Sequence, residues 1–340
     1  MCLTIPWSDP QPRWSASQSS SARPAWCGFV DALDVRILRA MGLRPYGQTP
    51  RPLESMRAPA IARALGASPE RVRGRIERME ESGLIEGYDL YPNYRHLGLE
   101  ATWFYYQFPD EDAAEAAAGR LAPIEGVSSC CWFMTGLLCA HVLYKSPADL
   151  DRKLRLLMAL AGKGALHKFY DVEMPPVHRP LSKTDWLILR ALRGQALRPL
   201  PDVAREATTS TKTVRRHIDR MGKEGSFFPF PVLDPSRAEG TILFYLAVSF
   251  GPEAGPDAPQ AVPRALEGAV LSTDRIASPE IGSLIMLVVA RSSAQVSELR
   301  RKVAAMPGIA RAKAMMFSGV NEDEAWIDEG IAERIRGAPK

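Results

Sequence analysis

The 340-residue chain repeats itself, and this repeat constrains its fold more than any other feature of the sequence. After residue 30 the chain can be laid on itself at a shift of about 145 residues, so that segment 34–41 falls on 185–192 and segment 76–79 on 218–221. In each copy, a region with apolar residues at helical spacing precedes a region that alternates between strand-like and helix-like segments. We therefore expect two copies of one folding plan.

The helical region of the first copy has the signals of three short helices. Apolar residues recur at helical spacing in segment 33–41, Ala60–Ala64 is a second short helix, and a third helix runs from Pro69 towards Gly83. Ser68 is placed to cap the third helix, and proline suits the first helical position. A short helix, a tight turn and a longer helix predict a helix-turn-helix.

The second copy repeats this order in Thr184–Leu192, Asp202–Ala207 and Ser210–Glu224. The copies differ in the loop after the first helix. Residues 43–57 of the first copy contain three prolines and cannot form a regular helix. The corresponding loop of the second copy is about nine residues shorter.

The region after each helix-turn-helix reads strand, helix, two strands, helix, strand. The segments of the first copy are Ala101–Phe108, Ala113–Leu121, Val127–Thr135, Leu137–Lys145, Leu150–Ala161 and Leu166–Glu173. Those of the second copy are Thr241–Phe250, Gln260–Leu266, Val270–Ile276, Ser283–Arg291, Ala294–Ala305 and Ile309–Phe317, and a helix over Glu322–Arg336 follows. The order βαββαβ is that of a ferredoxin-like sandwich.

These patterns predict an α+β fold in which two winged helix-turn-helix domains alternate with two ferredoxin-like sandwiches. The expected regions are a disordered tail (1–28), the first winged helix-turn-helix (29–96), the first sensor or dimerisation sandwich (97–176), the second winged helix-turn-helix (177–238), the second sandwich (239–320) and a C-terminal helix (321–340).

A helix-turn-helix followed by βαββαβ resembles the Lrp/AsnC, or feast/famine, family of transcriptional regulators. In the first copy the resemblance rests on Leu33-Asp34-x-x-Ile37-Leu38, Ile61-Ala62-x-x-Leu65-Gly66-x-Ser68 and Val72-x-x-Arg75-Ile76-x-Arg78-Met79-x-x-x-Gly83-Leu84-Ile85. In the second copy it is weaker, in Asp185-x-x-Ile188-Leu189, Val203-Ala204, Ser210-x-x-Thr213-Val214-Arg215-Arg216 and Gly225. It covers nearly everything after residue 30, as a tandem of two units.

The resemblance implies a regulator that binds double-stranded DNA, responds to a small-molecule effector through its sandwich (RAM) domains and assembles into homo-oligomers. A tandem chain should act as an intramolecular pseudo-dimer, with strands Ala101–Phe108 and Thr241–Phe250 packed against each other. One departure concerns the effector. Relatives usually place an aspartate shortly after the glycine between the middle strands, and the segments after Gly136 and Gly282 lack it. We therefore expect no amino-acid binding through that carboxylate.

The candidate DNA contacts are basic and hydroxyl side chains on or beside the third helix of each copy. Arginine pairs with guanine edges or phosphate, lysine with phosphate, and hydroxyls at a helix start can bind phosphate. The residues are Ser68, Arg71, Arg75, Arg78, Ser210, Thr211, Lys212, Arg215, Arg216 and Arg220. The same charges would also suit a helix that is merely solvated.

Two alternatives remain open. Sirohaem decarboxylases resemble Lrp/AsnC proteins in fold and bind a tetrapyrrole, and segment 127–131 with His141 lies in the corresponding region of the sandwich. Cysteine and histidine in apolar strands are more often packing residues. The chain could also be an oligomerisation scaffold that has lost one DNA-binding head.

The sequence shows no Gly-rich phosphate loop, HExxH or GxSxG motif, so we expect no enzyme, no cofactor and no metal site. Its five cysteines form no CxxC pair, and we interpret them as reduced thiols of a cytoplasmic protein. The N-terminus does not resemble a signal peptide, and the apolar runs predict no membrane insertion. A net charge of +4 fits a nucleic-acid partner without requiring one.

Overall fold

The computed structural model describes residues 30–43, 50–162, 165–171, 174–234, 237, 240–278 and 282–337. The tail predicted over residues 1–28 lies outside the described residues. Within the described ranges, no helix is both long and apolar enough to cross a bilayer.

The first half of the chain has the predicted order of elements. Its helix-turn-helix comprises α1 (Ala32–Met41), α2 (Ala58–Leu65), α3 (Pro69–Glu81) and the wing strand β1 (Ile85–Pro92), with short 3-10 helices at Leu53–Met56 and Tyr94–Leu97. Its sandwich comprises β2 (Glu100–Gln107), α4 (Glu111–Leu121), β3 (Val127–Phe133), β4 (Leu137–Tyr144), α5 (Pro147–Ala161) and β5 (Ala165–Asp171).

The second half repeats the order. It comprises α6 (Lys183–Leu192), α7 (Leu200–Glu206), α8 (Thr211–Lys223), β6 (Phe227–Leu233), β7 (Ile242–Phe250), α9 (Ala258–Ala265), β8 (Val270–Ser278), β9 (Gly282–Ala290), α10 (Ser293–Ala304), β10 (Ile309–Glu322) and α11 (Ala325–Gly337). The predicted fold class is confirmed: two winged helix-turn-helix units alternate with two βαββαβ sandwiches.

The two sandwiches form one antiparallel sheet in the order β5-β2-β4-β3-β10-β7-β9-β8. They join where β10 pairs with β3, with Phe317 opposite Phe133 and Glu322 opposite Ser129. Strand β10 therefore extends five residues beyond the predicted end at Phe317. At this joint Gly319 lies directly against the indole ring of Trp132. A Cβ added at Gly319 would be only 2.2 Å from Cζ2 of that ring, so the close contact requires glycine.

Strands β2 and β7, which we expected to pack against each other, lie inside the two halves of the sheet and are not backbone partners. Each contributes to one hydrophobic cluster shared by the halves, with Tyr105 from β2 and Ala247 from β7. The expected apolar contribution of these strands is present, but the hydrogen-bonded joint is formed by β3 and β10 instead.

The two helix-turn-helix units pair with each other through one strand each. The first unit also packs against the second sandwich. Strands β1 and β6 form an antiparallel ribbon, with Leu90 opposite Pro229. The core of the first unit includes Leu271 and Val289 from the second sandwich. The core of the second unit includes Ile327 from α11.

Candidate nucleic-acid interface

The third helix of the first unit, α3, is the helix expected to contact DNA (the recognition helix), and it begins with the predicted cap. Gly66 has φ 63°, a left-handed conformation that ends α2 and turns the chain. The Oγ of Ser68 accepts a hydrogen bond from the backbone N–H of Arg71 at 3.3 Å, and Pro69 occupies the first helical position. Val72, Ile76 and Met79 are buried, so α3 presents its opposite face to solvent.

Arg75 lies on the side of α3 that meets α1. Its Nη1 is 2.5 Å from Oδ2 of Asp31 and 3.0 Å from Oδ2 of Asp34. These aspartates form the capping box of α1, and only 1% of the Asp34 side chain is exposed. Burial opposes the charge of Arg75, but its bonds to Asp31 and Asp34 raise its pKa overall. The ion pairs of Arg75 thus join the recognition helix α3 to the first helix α1.

The other two predicted arginines of α3 are solvent-exposed. The Nε of Arg78 donates to the Gly74 carbonyl of its own helix at 3.3 Å. The side chain of Arg71 makes no hydrogen bond or ion pair among the described residues. Arg73, which lay outside the predicted set, faces Glu77 with Nε and Oε1 3.8 Å apart. We call each helix-turn-helix unit a head. In the first head, the side chains of Arg71 and Arg78 are therefore exposed and have no carboxylate partner among the described residues.

The recognition helix of the second unit, α8, is capped in the same way. The Oγ of Ser210 accepts from the backbone N–H of Thr213 at 3.1 Å. Thr211 begins the helix and is exposed. Lys212, Arg215 and Arg216 are exposed, and their side chains have no partner among the described residues.

Arg220 forms an ion pair with Asp185, which belongs to the capping box of α6. Its Nη2 donates to Oδ1 of Asp185, and only 27% of its side chain is exposed. His217 approaches the same oxygen, with Nδ1 2.6 Å away. The predicted Arg220 is therefore mainly an internal tie between α8 and α6.

His217 was not among the residues predicted from the sequence, although the repeat places it at the same position as Arg75. His217 follows the buried Val214 by three residues, as Arg75 follows Val72. Both residues bind the capping-box aspartate of the first helix in their own unit. The repeat therefore places Arg75 and His217 at equivalent positions, and the structure shows that each joins the third helix of its unit to the first.

The seven cations of the predicted set therefore divide into two groups. Five cations lie exposed on the recognition helices: Arg71, Arg78, Lys212, Arg215 and Arg216. Two others, Arg75 and Arg220, are held by buried carboxylates. An exposed cationic helix face that follows a capped N-terminus can bind phosphate and the edges of guanine.

Among the residues weighed for a tetrapyrrole site, Val127 and Cys130 lie in the hydrophobic core of the first sandwich, whereas His141 lies on the opposite face of β4. His141 is fully buried between Tyr94 and Trp103, with ring centroids 5.8 and 4.8 Å away. The Oγ of Ser128 is 2.5 Å from His141 Nδ1, and burial lowers the pKa of His141 to about 3. Burial raises the pKa of the Cys130 thiol. Over the described ranges, no group of three His, Cys, Asp or Glu side chains is placed to hold a metal ion.

Comparisons with known proteins show the fold. No family model and no curated protein matches the chain. The crystal structure of the siroheme decarboxylase NirDL in complex with an iron-uroporphyrin III analogue covers 89% of this chain and 99% of its own, at 15% identity and a TM-score of 0.51. The leucine response regulatory protein LrpA of Mycobacterium tuberculosis covers 42% of this chain and 93% of its own, at 20% identity and a TM-score of 0.33. An AsnC family regulator from Agrobacterium tumefaciens covers 41% of this chain at 17% identity, with a TM-score of 0.33.

The whole-chain comparison corrects one expectation. The sequence motifs led us to expect that the chain is not an enzyme, and this is contradicted because the structure that matches nearly the full chain is a decarboxylase. At 15% identity the likeness shows the architecture and not the activity. The chain shares the fold of that structure over 89% of its length.

Proposed function

We propose that the chain is a sequence-specific DNA-binding regulator of the Lrp/AsnC type, in a tandem form that acts as an intramolecular pseudo-dimer. The observation that carries this proposal is a pair of capped recognition helices, each with exposed cations that no carboxylate neutralises among the described residues. Arg71, Lys212, Arg215 and Arg216 have no partner among the described residues. By contrast, Arg73 of α3 lies within ion-pair distance of Glu77, one turn along the same helix.

The two heads would read different sequences. The face of α8 carries three unpaired cations close to its N-terminus, whereas α3 carries Arg71 there and has the acidic Glu70 in its first turn. Lysine and arginine neutralise phosphates, and arginine also pairs with guanine. We therefore expect an asymmetric site, with most of the phosphate affinity in the half that α8 contacts. Effector binding by the sandwiches and assembly into homo-oligomers belong to the same proposal.

The test is selection of binding sites from random-sequence duplexes, followed by fluorescence anisotropy with the selected duplex. The variant Arg215→Ala/Arg216→Ala should weaken binding at least about tenfold and reduce its salt dependence. The matched control is Arg300→Ala/Arg301→Ala, an adjacent arginine pair on α10, which should bind like the wild type. If no duplex is enriched, or if the two double variants bind alike, the proposal is wrong.

A second candidate function follows from the whole-chain likeness to a siroheme decarboxylase: a tetrapyrrole enzyme. The packing of His141, Cys130 and the aromatic side chains gives this candidate no open site at the residues first considered. It predicts saturable binding of an iron porphyrin that carries many carboxylates, with a Soret band shifted from that of the free compound. Titrating the full chain with iron uroporphyrin III tests it, and an unshifted spectrum would exclude it.

A further inference from the structure

The end of the proline-rich loop of the first head packs against the second head. The proposed DNA contacts do not involve this loop. We call residues 50–57 the bridging segment. Its side chains Leu53 and Met56 are 4% and 1% exposed. Both lie in the hydrophobic cluster that includes Trp186 and Val214 of the second head. The bridging segment is thus part of the core of a unit to which it does not belong in sequence.

The bridging segment also touches the second recognition helix at its last turn. A Cβ added at Gly222 of α8 would lie 3.0 Å from the backbone oxygen of Arg51 and 3.3 Å from Cα of Pro52. Contacts of 3.0–3.4 Å are tighter than ordinary van der Waals distance, and here they involve backbone. Glycine therefore allows the loop to lie directly on the helix.

Both ends of the bridging segment are anchored. Arg51 donates from Nη1 to the carbonyl of Ala40 at 3.3 Å, which ties the segment to the end of α1. Its guanidinium covers Gly42, where a Cβ would lie 2.2 Å from Nη1. Arg57 donates to the carbonyl of Leu197 in the second head at 3.5 Å. One segment therefore contacts both heads through backbone, side-chain and core interactions.

We propose that the bridging segment is a clamp that fixes α8 relative to α3, and thereby sets the spacing and helical phase of the two DNA half-sites. The effect on half-sites rests on the proposed DNA-binding function, whereas the joining of the heads rests on the contacts above. Two heads held rigidly accept one separation along the duplex, because half-sites must recur on the same face about every 10.5 base pairs. Loosely held heads would tolerate several separations.

The variant Gly222→Ala tests the clamp, since alanine favours an isolated helix more than glycine does. Any loosening must then come from the lost contact with the bridging segment. The matched control is Gly119→Ala in α4, where an added Cβ has no neighbour within 4 Å. The amides of Ser55 and Arg57 donate to the carbonyls of Pro52 and Glu54, so they should be protected from hydrogen exchange in the wild type. We expect Gly222→Ala to speed their exchange about tenfold or more, and Gly119→Ala to leave it unchanged.

The second measurement uses the selected duplex with one to five base pairs inserted between its half-sites. Wild type should lose affinity about tenfold or more at five inserted pairs, half a helical turn, and Gly222→Ala should lose much less. Met56→Ala, which empties a buried position, should act like Gly222→Ala. Unchanged exchange in both variants, or an unchanged spacing preference despite faster exchange, would overturn the clamp. If the wild type selects no duplex, the DNA-binding proposal fails, and exchange alone decides whether the segment joins the heads.

Discussion

Replacing Arg75 with alanine should unfold the first head more easily, whereas replacing Arg71 should not. Arg75 is 19% exposed and faces Asp34, which is 1% exposed, so the substitution leaves a buried carboxylate without its cation. Breaking a buried pair costs about 3–5 kcal/mol, and partial exposure of Arg75 and Asp31 reduces this to about 2–3 kcal/mol. Arg71 is exposed and unpaired, so Arg71→Ala should change the free energy of unfolding by less than about 0.5 kcal/mol.

The loss in Arg75→Ala should depend on pH in a predictable direction. Burial raises the pKa of Asp34 above its ordinary value of 3.8, and Arg75 opposes that rise. Without Arg75 the pKa of Asp34 in the folded protein rises further. The folded state then binds the proton of Asp34 more tightly than the unfolded chain does. The part of the stability deficit that comes from Asp34 should then be smallest at low pH and grow as pH rises through the raised pKa.

Urea unfolding followed by circular dichroism, at pH 4 and pH 7.5, measures both effects. The conservative variant Arg75→Lys should recover part of the loss, because a lysine still supplies a cation to the aspartates. Equal stability of Arg75→Ala and Arg71→Ala at pH 7.5 would refute the assignment of Arg75 as a helix tie. So would a deficit that shrinks as pH increases.

Three further predictions follow from other parts of the molecule. Burial lowers the pKa of His141 to about 3, so this side chain resists protonation in the folded protein. The free energy of unfolding should therefore fall as pH drops from about 6.5, and His141→Gln should flatten that part of the curve of unfolding free energy against pH. Gly319→Ala should drive a methyl group into the ring of Trp132 and lower the melting temperature by several degrees, whereas Gly255→Ala, which meets no neighbour within 4 Å, should change it little. Ser210→Ala should cost about 1 kcal/mol in urea unfolding through loss of the α8 cap, and an unchanged midpoint would contradict that role.

The sequence predicted the elements well because each carries local signals. The repeat, the apolar spacing and the caps at Ser68 and Ser210 placed the helices within a few residues of their observed ends. The fold class needed only the order of these elements. Strand β10 was predicted too short, because the residues after Phe317 pair with β3 of the other half and have no apolar run of their own.

The candidate site was harder to predict, because helical spacing says which residues share a face but not what lies opposite. Arg71, Arg75 and Arg78 share one face by spacing, yet only Arg75 meets the aspartates of α1. The proline-rich loop was predicted only to be non-helical, because its partner Gly222 lies about 170 residues along the chain in the second head, where spacing within one element gives no information. Contacts between distant segments required the structure.

We propose that the two recognition helices bind duplex DNA through cations that have no carboxylate partner among the described residues. The most direct measurement is the salt dependence of the equilibrium constant for the selected duplex, compared between wild type and Lys212→Ala/Arg215→Ala/Arg216→Ala. If all three cations meet phosphates, the slope of log K against log salt should become shallower by up to about 2.7, or 0.9 for each lost phosphate contact. An identical slope in the two proteins, or no measurable binding by the folded wild type at low salt, would contradict the account.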